Sequence, residues 1–487
     1  MQGADRALGS PLPRPSRVPF TIVSIGLEDK AASVTIRAMF RVTLLLLLFL
    51  TVVSGAHAQS MTITPGEGFE VERYTVALRP DLATTAVSAT ETIVLRGTSD
   101  QVTQLAFTAN ALRVSEATLN ATPVEAFSNK EALVFALPRA LRRGERATLR
   151  FRIDGTPARG VIAVAGGIYT SYFACDWMVC LQDAPGDKAH LQLDLFLPFG
   201  VESVGVGRAG QVTVLPGGLA RHRWRSTRPS SSYLYAFAAG PLRRASTRTA
   251  QGELVYLDGA GGDADLAVLF SQSSAMAAFF AGKAGMPLPD RRYIQLLVPG
   301  REAQESASFS LIGMAELDRE RDDPSSAWII AHEMAHQWWG NLVTCATWQD
   351  FWLNEGIATF MVAAWKEHDL GDAAYREELD VARRRVEQVR ETGFDKPLAW
   401  DGQYPSLRAR RAVQYSKGAL FLAHLRETIG DAAFWNGLRG FTRQHAGGTV
   451  TSRDFQNAMQ KAGGHDLSPM FAEWVYGEKP SSVTNGS

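Results

Sequence analysis

The stretch Ser326-Ala327-Trp328-Ile329-Ile330-Ala331-His332-Glu333-Met334-Ala335-His336-Gln337-Trp338-Trp339-Gly340 decides how the rest of the chain is read. An apolar approach, a capping serine at 325 or 326 and a closing glycine predict a helix over 326–339, with Gly340 taking the left-handed position. A separation of four residues puts His332 and His336 one turn apart on one face, so two imidazoles can reach one ion. Glu333 is turned about 100° from His332. That keeps it out of the ligand set yet close to a water it can deprotonate.

Two histidines alone are an incomplete metal site, and a His-Glu-x-x-His pattern arises by chance in long chains. Glu355, in the next predicted helix Asp350-Phe351-Trp352-Leu353-Asn354-Glu355-Gly356-Ile357-Ala358, supplies a third ligand. Three protein ligands with a fourth position left for water are the catalytic rather than the structural pattern for a single zinc ion. Trp338, Trp339, Trp348 and Trp352 flank the two helices and are expected to exclude water and hold them together.

These residues also carry a resemblance. The run from His332 to Thr344, followed by Trp348 and Trp352-Leu353-Asn354-Glu355-Gly356, resembles the aminopeptidase N and leukotriene-A4-hydrolase family of zinc aminopeptidases, peptidase family M1. Tyr415-Ser416-Lys417-Gly418-Ala419 is similar to the family's Tyr-x-Lys-Gly segment, which implies that Tyr415 stabilises the tetrahedral oxyanion. The runs from Cys180 to Ala189 and from Tyr233 to Phe237 resemble segments of the family's N-terminal β domain, so the likeness spans most of the chain beyond the leader. It implies zinc-dependent removal of N-terminal residues from peptides, with one zinc ion held by His332, His336 and Glu355 and with Glu333 as general base. It further implies an α+β multidomain fold, in which an N-terminal antiparallel β saddle or sandwich precedes a thermolysin-like, mainly α catalytic domain.

The match is weaker at three places. In the family, a Gly-x-Met-Glu-Asn segment supplies a glutamate that binds the substrate's free α-amine, and here that segment is degraded. Ala303-Gln304-Glu305-Ser306 fits best because it precedes the strand-like Phe309-Ser310-Leu311-Ile312, which makes Glu305 the expected anchor. Glu316, in Gly313-Met314-Ala315-Glu316, is the rival, closer in letters but nearer the zinc helix. Tyr172 stands where the family usually has a glutamine beside the amine site. The chain also stops soon after the run from Phe471 to Gly477, where relatives continue into a large helical domain, so a more open cleft or a partner acting as a lid is expected. These departures motivate a zinc endopeptidase as the alternative. A non-catalytic binding module on the same fold is a further alternative, against which stands the presence of His332, Glu333, His336, Glu355 and Tyr415 together.

The patterning of the chain agrees with this division. From Phe69 to Gly240 short runs alternate with period two, as in Tyr74-Thr75-Val76-Ala77-Leu78, and turn residues punctuate them. Beyond Gly240 a few strands remain, such as 293–298, and helices are predicted over 264–284, 349–367, 373–392, 411–427, 432–444, 452–462 and 467–475. The expected organisation is therefore an extension and signal peptide over 1–58, a β domain over 61–240 and a peptidase domain over 241–480. With 46% hydrophobic and 21% charged residues in 487, the chain can bury sizeable cores. Lys plus Arg and Asp plus Glu both number 50, which argues against nucleic-acid partners and against an anionic membrane surface.

Arg37 and Arg41 precede an apolar run from Val42 to Val53 and the small residues of Ser54-Gly55-Ala56-His57-Ala58. This is the pattern of a secretory signal peptide with cleavage near Gln59, shorter than the roughly 20 residues that span a bilayer, and it predicts a secreted or periplasmic protein. An uncleaved anchor is the alternative. Met39 offers a later start, so the residues before it are set aside. Of three cysteines, Cys175 and Cys180 can form a small-loop disulfide in such a compartment or remain two buried thiols. His190, His222, His368, His424, His445 and His465 show no ligand spacing.

Overall fold

The computed structural model describes residues 63–317 and 327–477. The expected signal segment and the expected capping serines lie outside them. Alternation produces the first sheet. In β3 (Arg146–Gly155), Ala147, Leu149, Phe151 and Ile153 are buried while Arg146, Thr148, Arg150 and Arg152 are exposed. Together with β1 (Phe69–Pro80), β2 (Val87–Gly97), β4 (Lys188–Pro198) and β5 (Leu219–Arg225), it forms the centre of a large sheet in the order β5-β4-β1-β2-β3. The expected all-antiparallel arrangement fails at one pair, since β1 and β4 run parallel with Tyr74 opposite Leu191. Strands so distant in sequence are joined by a crossover rather than a hairpin, and a crossover permits the parallel direction.

A second sheet links this region to the helices. It comprises β6 (Arg243–Thr249), β7 (Gly252–Asp258), β8 (Arg292–Val298), β9 (Ala303–Gln304) and β10 (Phe309–Gly313), in the order β6-β7-β8-β10-β9. Its inner strands are covered on both faces, which is why 293–298 reads as a nearly continuous apolar run. Leu254, Tyr256, Tyr293, Leu297 and Ile312 join the helical core. Val255, Leu257, Ile294, Leu296, Val298, Phe309 and Leu311 join the core of the first sheet. The period of two thus sends alternate side chains into two cores.

The helices are α1 (Ser273–Ala284), α2 (Trp328–Ala335), α3 (Trp352–Leu370), α4 (Asp372–Arg390), α5 (Gly418–Ile429), α6 (Asp431–Gln444) and α7 (Ser452–Gly463), with a wide π-type turn over Arg411–Lys417 leading into α5. The helix expected over 264–284 is broken. Asp265 caps a short piece, Leu266–Leu269, by accepting from the Ala267 and Val268 amides, and Phe270 then turns inward to stack on Tyr256 with ring centroids 5.0 Å apart. Among the described residues no helix is long and apolar enough to cross a membrane.

The zinc helix expected to reach residue 339 ends at Ala335, with His336 as its C-cap. Gly340 does not adopt the left-handed helical conformation, having φ of 134°. A Cβ there would lie 2.9 Å from His336 Nδ1, so the glycine admits the imidazole instead of closing the helix. His336 keeps helical dihedrals, and the one-turn relation to His332 survives.

Candidate active site

Three segments converge beneath the second sheet. α2 carries His332 and Glu333, the first turn of α3 carries Glu355, and the π-type turn carries Tyr415. Two glycines set their spacing. A Cβ on Gly418 would lie 2.8 Å from Gly356 Cα, and one on Gly356 would lie 3.0 Å from Gly418 Cα. The backbones touch there, one residue after Glu355 and three after Tyr415.

The His332 and His336 Nε2 atoms are 3.1 Å apart, and Glu355 Oε2 lies 3.3 and 3.4 Å from them. All three side chains are buried. Burial alone would raise the Glu355 carboxyl, but His336 and then His332 outweigh it and hold the carboxyl far below the usual range. Two nitrogens and one carboxylate oxygen within 4.8 Å of one another, enclosed and backed by the further carboxylates of Glu305 and Glu333, are a donor set that suits one divalent cation. Glu333 Oε2 is buried without a hydrogen-bond partner, which fits an atom that faces a metal-bound water. Burial pushes the Glu333 carboxyl well above its ordinary value, with Glu305 and Glu355 adding to the shift and His336 opposing it.

Tyr415 faces His332 with ring centroids 5.8 Å apart and an interplanar angle of 14°. Trp328 stacks on the same imidazole at 4.5 Å. Trp338, Trp339 and Trp352, expected to exclude water and hold the two helices together, are buried in the helical core. The Trp338, Trp339 and Trp352 indoles donate to Met286, Thr442 and Ser452, fastening the ligand helices to their surroundings.

The structure separates the two rival glutamates. Glu305 is buried, and the charges of His336, Glu355 and Arg410 all act on it. Burial raises its carboxyl, and His336 opposes that shift. Its position is fixed from both sides, because Gln304 Nε2 donates to the Tyr233 carbonyl at 3.1 Å and the Ser306 carbonyl accepts from Asn341 Nδ2 at 3.3 Å. Glu316 instead pairs with the exposed Arg301 at 3.3 Å. Tyr172 sits at the rim with φ of 56°, its amide donating to Gln304 Oε1 at 2.7 Å and its hydroxyl donating to the Ala303 carbonyl. Cys175 and Cys180 form a disulfide in the segment that follows.

Several contributors escaped the sequence reading. Asn354 accepts from the Cys345 amide and donates to the Tyr233 hydroxyl, both at 3.0 Å, tying α3 to the β region. A buried amide beside a ligand carboxylate was the available signal. Trp328 and Gln304 gave none, because their contacts cross between elements distant in sequence.

Paired imidazoles one turn apart on a helix, completed by a carboxylate from the following helix under a mixed sheet, form a donor set of the kind zinc metallopeptidases use. Residues 307–474 match the peptidase family M1 domain. Aminopeptidase N of Lactococcus lactis subsp. lactis is 27% identical over 336 residues, covering 63% of this chain and 38% of that protein. Aminopeptidase N of Lactobacillus delbrueckii subsp. lactis is 27% identical over 275 residues, covering 52% and 32%. The matches thus span about a third of the length of these curated relatives. The crystal structure of an M1 zinc metallopeptidase from Deinococcus radiodurans superposes with a TM-score of 0.72 at 25% identity, covering 85% of this chain and 94% of that one. The M1 domain match thus falls on the segment that carries His332, Glu333, His336, Glu355 and Tyr415, and the likeness to the two-domain M1 metallopeptidase fold extends over most of the chain.

Proposed function

We propose that the chain is a zinc aminopeptidase that releases N-terminal residues from peptides. The observation that carries this reading is the place of Glu305. A buried carboxylate fixed beside the His332–His336–Glu355 cluster offers an anionic partner to a substrate's free α-ammonium, next to where its first peptide bond would lie. His332 Nε2, His336 Nε2 and Glu355 would hold one zinc ion, which when bound would supply Lewis acidity and lower the pKa of a water to about 7. Glu333 accepts the proton of the attacking water and returns it to the departing amine. The Tyr415 hydroxyl donates to the oxygen that becomes negative in the transition state. Glu305 holds the ammonium and so sets which bond is reached.

The test is hydrolysis of an alanyl or leucyl reporter amide by the purified zinc-loaded chain, beside the same compound acetylated on its amine. Cleavage of the free-amine compound alone is expected. Comparable cleavage of the acetylated one would establish the endopeptidase reading, and cleavage of neither despite bound zinc would favour a binding module. We further propose action outside the cytoplasm. The Cys175–Cys180 disulfide supports this, since such bonds persist in oxidising compartments; recovery of the protein from the cytoplasmic fraction would refute it.

A further inference from the structure

Arg410 and Arg411 open the π-type turn that carries Tyr415, and the two differ sharply. Arg410 is committed to the fold. Its Nε donates to Gln414 Oε1 at 2.8 Å and its guanidinium lies 4.8 Å above the Phe351 ring. Arg411 is exposed, with no hydrogen-bond or carboxylate partner among the described residues. Structural arginines nearby do find acids, as Arg390 does with Asp395 at 3.1 Å.

Four residues, close to one helical turn, separate Arg411 from Tyr415, so both side chains leave the same face. The Arg411 charge acts on Tyr172 and Glu333 as well as on His332 and Tyr415. These groups line the mouth and the floor of one site. Arg411 is therefore an unpaired guanidinium, among the described residues, beside a cluster that holds the carboxyl groups of Glu305, Glu333 and Glu355. A free guanidinium fork is matched to a carboxylate, with which it makes two parallel hydrogen bonds.

A peptide whose ammonium is held at Glu305 sends its remaining residues away from the cluster, and a short one brings its own carboxylate close behind. We propose that Arg411 is the specificity-determining residue that recognises a carboxylate on the leaving side of the scissile bond. The carboxylate is the C-terminus of a di- or tripeptide or the side chain of an acidic residue. This rests on the aminopeptidase reading and gives it a substrate class.

The experiment uses the full zinc-loaded chain and compares Ala-Ala with Ala-Ala-amide for the terminal carboxylate, and Ala-Glu-amide with Ala-Gln-amide for the side chain. A single charge-assisted pair predicts a preference of roughly tenfold, carried by KM, for the carboxylate member of one comparison. Arg411→Ala should bring that ratio close to one, Arg411→Lys should keep part of it, and Arg411→Glu should reverse it. Calorimetry of the same peptides on zinc-loaded Glu333→Gln, which cannot turn them over, should give the same order of affinities. A role of Arg411 in folding alone would not invert a substrate ratio on charge reversal. No preference in the wild type, or a preference that survives Arg411→Glu, overturns the proposal. Failure of the wild type to cleave the plain alanyl reporter would instead overturn the reading beneath it.

Discussion

His336 Nδ1 lies 2.9 Å from the carbonyl oxygen of Trp339. A carbonyl only accepts, so the ring proton sits on Nδ1 and the Nε2 lone pair points into the cluster with His332 and Glu355. The tautomer needed of a ligand is set by the turn that follows α2. That turn exists because residue 340 has no side chain to collide with the ring.

Such preorganisation ties the ion to stability. With the ion removed, the buried Glu355 carboxylate is matched only by the imidazoles of His332 and His336, and the folded state loses the free energy of binding the ion. Chelation should abolish hydrolysis and lower the Tm by several degrees, as binding to the folded state alone requires. His336→Ala should show the same Tm with and without chelator. A wild-type Tm indifferent to chelation would remove the cluster as a metal site.

The proposed mechanism gives Glu333 and Tyr415 roles in chemistry and no ligand bond. Glu333→Gln should retain stoichiometric zinc while losing about 10²–10⁴ in kcat. Tyr415→Phe should lose about 10²–10³ with zinc and Tm unchanged. Metal content by atomic emission, read beside kcat, separates these losses from loss of the ion; near-normal turnover in Glu333→Gln would end its assignment as the base.

Glu305 and Glu316 make a matched pair of controls. Glu305→Ala should raise KM for free-amine substrates by about tenfold or more, as expected for loss of a charge-assisted bond, and should narrow the gap to acetylated ones. Glu316→Ala touches only an exposed ion pair with Arg301 and should change stability by less than about 1 kcal/mol. The opposite pattern would transfer the amine site to Glu316.

The contact between Gly356 and Gly418 positions Tyr415 against Glu355, with no room for a methyl group. Gly418→Ala places a carbon 2.8 Å from the Gly356 backbone and forces the two segments apart. A cost of about 1–3 kcal/mol is expected, together with a fall in kcat, because the tyrosine rides on the segment that moves. An unaltered urea midpoint would show that the helices yield there freely.

What the sequence made legible in this site was local. His332, Glu333 and His336 occupy neighbouring turns of one helix, so spacing alone orders them, and the alternation in β3 reports its burial directly. What stayed hidden depends on partners remote in the chain. The parallel pairing of β1 with β4 follows from a crossover, and the early end of α2 follows from the approach of Gly340 to His336. The stacking of Trp328 on His332 joins residues whose spacing reads equally as core. The expectation of Glu305 over Glu316 rests on its place before the β10 strand, a topological clue, whereas local similarity of letters points to Glu316.

Asp187, away from the cluster, offers a pH-dependent test of the β region. Both of its oxygens accept from the Val71 amide, at 3.1 and 3.3 Å, and burial raises its carboxyl from 3.8 to about 7 against that bond, with Glu70 adding to the shift. Between these values the folded chain keeps a proton that the unfolded chain has released. Stability contributed by this group is therefore full below about pH 4 and is lost as pH rises through about 7. Asparagine cannot ionise and keeps an oxygen for the Val71 amide. The stability of the wild type relative to Asp187→Asn should accordingly fall across this window by on the order of 1–2 kcal/mol, a figure reduced because the side chain is partly solvated. Urea midpoints of both proteins near the two ends of the window decide it. A constant difference, or one that grows in favour of the wild type as pH rises, would show that the Val71 amide holds the carboxylate ionised in spite of its burial.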